Sequence, residues 1–301
     1  MISTLSPASQ QFVNNLNRII DQTQKAQLQV SSGLKVSQVS DAPDQISTLL
    51  QARSNLAGTN QIISNLGRTK AETDAGEQAL QSAVTLLDRV QTLAAEGVNS
   101  TQTADSRASL ALEAGSVLEQ LGGLASTQVE GRYIFSGDQD QTQPYTIDLT
   151  QLNPVSTYQG SASTRVAQHP NGTTFPVALT AQTIFDSADP TTNVFQAVQA
   201  VRSALNANDN AAIQTAYSGL SKVASYLNAQ LATYGTIQNK VTDATNFGQT
   251  LQLQLQTQIS GIQDADLTQS IIQVQQGQIQ EQAALLTQAQ IPRKTLFDFL
   301  A

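Results

Sequence analysis

The chain has 301 residues, with 15 Lys and Arg against 23 Asp and Glu, so its formal net charge is −8 and only 13% of its residues are charged. It has no Cys, no Trp, one Met and one His. These counts exclude a disulfide frame, thiolate chemistry, Cys-based zinc sites and His clusters, and a Ser-His-Asp triad would rest on His169 alone. The acidic balance argues against nucleic-acid binding, which needs a cationic face to displace counterions. No apolar run is long enough to span a bilayer, so no membrane insertion is expected. The first residues carry no Lys or Arg before Arg18 and no apolar leader segment, so no cleaved secretory signal is expected.

In chain order, Phe12, Leu16, Ile19, Thr23, Ala26 and Val30 alternate steps of four and three, which keeps one stripe of a helix facing a partner. Gly33 follows as a candidate C-cap. Asp41, followed by Ala42-Pro43-Asp44, predicts the start of a second helix carrying Ile46, Leu49, Leu56, Ile63 and Leu66. The stripe resumes at Leu80, Val84, Leu87, Val90 and Ala94, and Gly97-Val98-Asn99-Ser100 reads as a turn. A third helix is predicted through Leu110, Ala114, Val117, Leu121 and Leu124.

Five of the eight prolines (Pro144, Pro154, Pro170, Pro176 and Pro190) fall between 136 and 190, where helices are therefore not expected. Short β-prone runs lie at Tyr133–Phe135, Tyr145–Ile147, Arg165–Ala167 and Phe175–Leu179, with turn signals at Ser136-Gly137-Asp138 and Asn171-Gly172. From Ile213 and Leu220 to Ile262 an unbroken 3-4 pattern predicts a helix of about 50 residues, roughly 75 Å at 1.5 Å per residue. After Gly261 a last helix is expected from Leu267 to Ala289, with Ile271, Val274 and Leu285 on one stripe, ended before Pro292.

Candidate chemistry is sparse. Asp264-Ala265-Asp266 reads as a helix N-cap rather than an acid/base pair, since nothing beside it supplies a nucleophile. His169 before Pro170 reads as a surface imidazole, and Gly122-Gly123 lacks the frame of a phosphate loop. The Gln-rich stretch 249–290 carries an apolar heptad, so it reads as helix with a neutral polar face. The stripes of 45–130 and 195–260 are expected to pack within the chain. Those at the two ends lie outside breaks and are expected to lack a partner until a neighbouring copy supplies one.

Ser31-Ser32-Gly33-Leu34-Lys35-Val36 with Ser40-Asp41-Ala42-Pro43, and Ile262-Gln263-Asp264-Ala265-Asp266, resemble the two landmarks of the flagellin superfamily, and so does the ending Leu296-Phe297-Asp298-Phe299-Leu300. Within it, Gly131-Arg132-Tyr133-Ile134-Phe135-Ser136-Gly137, Thr157-Tyr158-Gln159-Gly160, Ile184-Phe185 and Asn193-Val194-Phe195 are similar to the hook-associated protein 3 (hook–filament junction) family.

The resemblance implies a mainly α fold: a long antiparallel coiled-coil-like rod built from both chain ends, with a small inserted β-rich domain. The expected divisions are 1–40 with 262–301 for assembly, 41–135 with 191–261 for the rod, and 136–190 for the outward β-rich part. It further implies a non-enzymatic structural adaptor without cofactor, exported unfolded by the flagellar type III system and located outside the cell. The implied partners are further copies in a ring, a sister hook-associated junction protein, flagellin and an export chaperone. The expected assembly residues are Leu5, Phe12, Leu16, Ile19, Val30, Leu267, Ile271, Val274 and Leu285, and the expected chaperone contact is Leu296, Phe297, Phe299 and Leu300. A short flagellin, and an extracellular binding protein on the same scaffold, stay open as alternatives.

Overall fold

The computed structural model describes residues 7–290. In order, it contains α1 (Pro7–Ser32), α2 (Ile46–Val98), α3 (Ala104–Ala125), strands β1 (Gln128–Val129), β2 (Arg132–Tyr133), β3 (Val166–Gln168) and β4 (Thr174–Pro176), then α4 (Ala181–Phe185), α5 (Val194–Asn206), α6 (Asn210–Gln263) and α7 (Leu267–Gln290). It is mainly α, with long helices and a small β insert, as the heptads and the clustered prolines require. The chain divides into two compact units, one of residues 59–251 and one formed by 1–58 with 252–301.

The 59–251 unit has the large core. Leu80, Ala83, Leu87 and Val90 of α2, Leu118 and Leu121 of α3, Val198 and Val201 of α5, and Ile213, Leu220 and Leu227 of α6 are buried together. Leu80, Leu87, Val90, Leu121, Ile213, Leu220 and Leu227 are positions picked out by the 3-4 spacing, whereas Ala83, Leu118, Val198 and Val201 are not, and the expected Val84, Leu110 and Leu124 are only partly buried. The Gly97-Val98 dipeptide stays in α2, and the turn falls after it. Thr103 then caps α3 by accepting from the Ser106 amide at 3.2 Å. Buried Arg107 secures the turn by donating to the Gly97 carbonyl at 2.8 Å and to Asn208 Oδ1 at 2.6 Å.

Residues 136–190 do not have a core of their own. Tyr145, Ile184 and Phe185 join the helical core, together with Ile134 and Phe135 just before the span. Phe135 meets Phe185 and Tyr234 edge-on at 6.2 and 6.1 Å, and Tyr145 meets Phe195 at 5.2 Å. The motifs 131–137 and 157–160 come together here, with the Tyr158 hydroxyl 3.0 Å from the Phe135 carbonyl oxygen.

Of the expected strands, Ile134-Phe135 leaves the sheet to be buried, and Tyr145–Ile147 keeps only a single bridge from Ile147 to Val155. The Asn171-Gly172 turn forms as expected, with Gly172 at φ +93°, and closes the β3–β4 hairpin. That hairpin rests on Leu66, Ile237, Val241 and Ala244 through Ala167 and Val177. Helix also occurs inside the proline-rich span, where Thr180 caps α4 by accepting from the Thr183 amide.

The other unit holds α1 and α7. Two predicted boundaries shift in it. Gly261 does not end α6, which continues to Gln263 because a single helical glycine costs only about 1 kcal/mol. Asp41 does not cap α2, which starts at Ile46; its carboxylate turns back onto residues 37 and 38 instead.

Candidate assembly interface

Helices α1 and α7 pack on each other within the chain, antiparallel, with Gln29 beside Ser270 and Thr23 beside Gly277. This corrects the expectation that the terminal stripes lack a partner in a single chain. The α1 side of the seam follows the predicted stripe from Phe12 to Ala26 but not to Val30, which is exposed. Thr23 and Ala26 are buried, and Phe12, Leu16 and Ile19 are half-buried.

The α7 side differs from prediction. Its inward positions are Ser270, Val274, Gly277, Glu281 and Ala284, mostly small residues. A Cβ on Gly277 would lie 3.1 Å from Thr23 Cβ and closer still to the Thr23 hydroxyl oxygen, so only glycine lets the helices approach this closely. The Thr23 hydroxyl is itself spent on the Ile19 carbonyl at 2.8 Å.

The loop after α1 is clipped to the turn between α6 and α7. Gly33, at φ +73°, ends α1 with its amide on the Gln29 carbonyl at 2.9 Å. The amides of Lys35 and Val36 then donate to the Gln263 carbonyl at 2.7 and 3.2 Å, and the Ala265 amide donates to the Gly33 carbonyl at 2.9 Å. The two sequence landmarks, some 230 residues apart, are therefore one structural element.

Acidic side chains organise both halves of the clip. Asp266 accepts from the Gln269 amide at 3.0 Å and starts α7, as its N-cap reading predicted. Asp41 accepts from the Gln38 and Ser37 amides at 2.9 and 3.0 Å and lies 3.5 Å from Lys25. Those two amides, then the Ser37 hydroxyl and Lys25, hold its carboxyl down at about 2.

The predicted assembly residues fall on different faces. Phe12, Leu16, Ile19 and Val274 lie at the seam, whereas Val30, Leu267, Ile271 and Leu285 are exposed beside it. Leu5 and the expected chaperone contact at Leu296, Phe297, Phe299 and Leu300 lie outside the described residues.

Sequence reasoning missed a further strip on α7. Ile272, Ile279 and Leu286, spaced by seven, are 47%, 65% and 64% exposed. A seven-residue apolar repeat is the signature of a helix that meets another helix, and this signal was present in the sequence. On one flank of the seam, Gln22, Gln29, Gln273, Gln276 and Gln280 line an open polar groove of about 650 Å³. Among the described residues no three His, Cys, Asp or Glu are placed to hold a metal, and no helix is long and apolar enough to cross a membrane.

The described part of the molecule is a helical protein in which two distant segments are clipped together and an apolar heptad strip is left exposed on α7. Residues 2–140 match the bacterial flagellin N-terminal helical region, and residues 211–300 match the bacterial flagellin C-terminal helical region. Together these take in well over half of the chain, and the chain belongs to the bacterial flagellin family.

Among solved structures, the fold is shared with a flagellar hook-associated protein of Vibrio parahaemolyticus, at 19% identity and TM-score 0.65 over 74% of this chain and 100% of that one. It is also shared with flagellar hook-associated protein 3 of Legionella pneumophila, at 15% identity and TM-score 0.61 over 72% and 99%. FlgL of Bacillus cereus shares it at 19% identity and TM-score 0.56 over 71% and 100%. No curated protein gives a significant match.

Proposed function

We propose that this protein is a structural adaptor of the bacterial flagellum, joining the hook-associated ring to the flagellin filament. The observation that supports this reading best is the division of labour on α7. Its small residues satisfy α1 within the chain, while Ile271, Ile272, Ile279, Leu285 and Leu286 stay exposed. Such a face is costly for a lone molecule and useful to one that docks, since each buried aliphatic side chain is worth about 1.5–3 kcal/mol.

Copies assemble as a ring through these terminal helices, between a sister hook-associated junction protein and the first flagellin subunits. The protein reaches that place by flagellar type III export and acts outside the cell. No catalytic step belongs to this reading.

The test is Phe12→Asp, which puts a charge into the α1–α7 seam and leaves the 59–251 core alone. The expected result is loss of the ring from hook ends in immunolabelled cells, with the variant found folded but unassembled in the medium. A Phe12→Asp protein that still builds the ring overturns the proposal. The short-flagellin alternative predicts that seeded wild-type protein grows long filaments rather than stopping at a ring.

A further inference from the structure

We propose that the tip of the β3–β4 hairpin is a self-modifying site, where the Gly172 backbone nitrogen attacks the Asn171 side chain and the amide is converted to a carboxylate. The proposal does not depend on the adaptor reading and stands or falls separately from it.

Asn171 is the only asparagine in the chain that is followed by glycine. The reaction closes a five-membered ring between an asparagine Cγ and the next backbone nitrogen, and a side chain on that next residue obstructs the approach. Gly172 has none. Asn171, Gly172 and Thr173 are all exposed, so water reaches the ring once it forms. The fold adds two donors at the amide oxygen. Asn171 Oδ1 accepts from the Thr173 amide at 3.0 Å and from the Thr173 hydroxyl at 2.7 Å. A backbone N–H can only donate, so the atom facing Thr173 is the oxygen and not the side-chain nitrogen. That oxygen takes up negative charge when the Gly172 nitrogen adds to Cγ, and donors at these distances are what stabilise a tetrahedral oxyanion.

The Gly172 N–H is itself held on the His169 carbonyl at 2.9 Å, so attack waits for that bond to open. Bonds in exposed turns open at the low end of a protein's local free energies. The Thr173 donors lie on the other side of Gly172 and do not use that bond. In the step itself the Gly172 N–Cγ bond forms and the Cγ–Nδ2 bond breaks, and the Gly172 proton leaves with the side-chain nitrogen as ammonia. Water then opens the cyclic imide at either carbonyl, giving aspartate or its β-linked isomer. Either product adds one negative charge to the formal −8 of the chain. The β-linked product also lengthens the backbone between Gln168 and Thr174, which are paired in the hairpin.

The chain contains its own comparison. Asn99 Oδ1 accepts from the Thr101 amide and hydroxyl at 3.1 and 3.0 Å, the same arrangement, but Ser100 follows it and carries a side chain at the attacking residue. Asn99 therefore has the donors without the unobstructed nitrogen, and it should react more slowly than Asn171.

The test holds folded full-length protein in warm, mildly alkaline buffer and maps its asparagines by digestion and mass spectrometry. Asn171 should convert ahead of every other asparagine, with Asn99 behind it. Thr173→Val removes the hydroxyl donor and keeps a strand-forming side chain. It should slow conversion of Asn171 about fivefold, the worth of one neutral hydrogen bond, while Thr173→Ser should keep the parent rate. In denaturant, where no turn holds the donors, parent and Thr173→Val should convert alike. Conversion led by another asparagine overturns the proposal. So does a Thr173→Val rate that is unchanged or raised in the folded protein, or one slowed equally in denaturant.

Discussion

Two aspartates show how local chemistry decides where the chain bends. Asp266 and Asp41 sit in similar sequence settings, an acid just before a helix, and both suggest N-caps. Only Asp266 acts as one. Asp41 finds the amides of Ser37 and Gln38 on its N-terminal side, a choice set by the path of the loop after Gly33 and therefore not readable from spacing. The consequence is a pH signature. An unfolded Asp titrates near 3.9 and the folded one at about 2, so the stabilisation is complete above roughly pH 4 and is lost as pH falls toward 2. Exchange of the Ser37 and Gln38 amides, corrected for intrinsic rates, should accelerate across that window in wild type. In Asp41→Asn it should show no such step. Identical profiles in the two proteins would remove Asp41 as the anchor.

At the scale of elements, periodicity was a good guide wherever apolar residues were large. The α6 heptad from Leu220 to Ala244 is buried at every expected position except Gln230, which is half-buried. It failed on α7, because a search for large residues selects Ile271 and Leu285, whereas the seam uses Ser270, Gly277 and Ala284 at the same seven-residue interval. Within the insert, the runs at 165–167 and 175–179 do supply the β3–β4 hairpin, whereas Phe135 and Tyr145 fill the helical core instead, since aromatic content alone does not separate a strand from a buried loop. The tight α1–α7 approach gives a prediction. Gly277→Ala should destabilise the helix pair by about 1–3 kcal/mol through overpacking, even though alanine favours helix by up to about 1 kcal/mol. With Thr23→Ala in the background the same change should cost clearly less, because the hydroxyl and methyl it meets are gone and only the Cβ contact at 3.1 Å remains. Thermal melts followed by circular dichroism check both. Equal costs in the two backgrounds would mean that Thr23 is not what Gly277 makes room for.

At the scale of the whole molecule, the interior is unevenly shared. Tyr145, Tyr234, Phe135 and Phe185 and the fully buried leucines lie within 59–251, while the other unit, among the described residues, buries Thr23, Ala26, Ala52 and Ser270 with Val36, Leu49 and Leu255 as its larger apolar side chains and no aromatic. Local stability follows buried apolar contact. Hydrogen exchange should therefore open α1 and α7 well before α3 and α5, and a uniform protection pattern would contradict this. The clip between Gly33–Val36 and Gln263–Ala265 has a further consequence. Those backbone bonds join segments some 230 residues apart in the chain. A chain cut short before Gln263 would leave the Gly33 carbonyl and the Lys35 and Val36 amides without these partners, so the clip closes only when both distant segments are present.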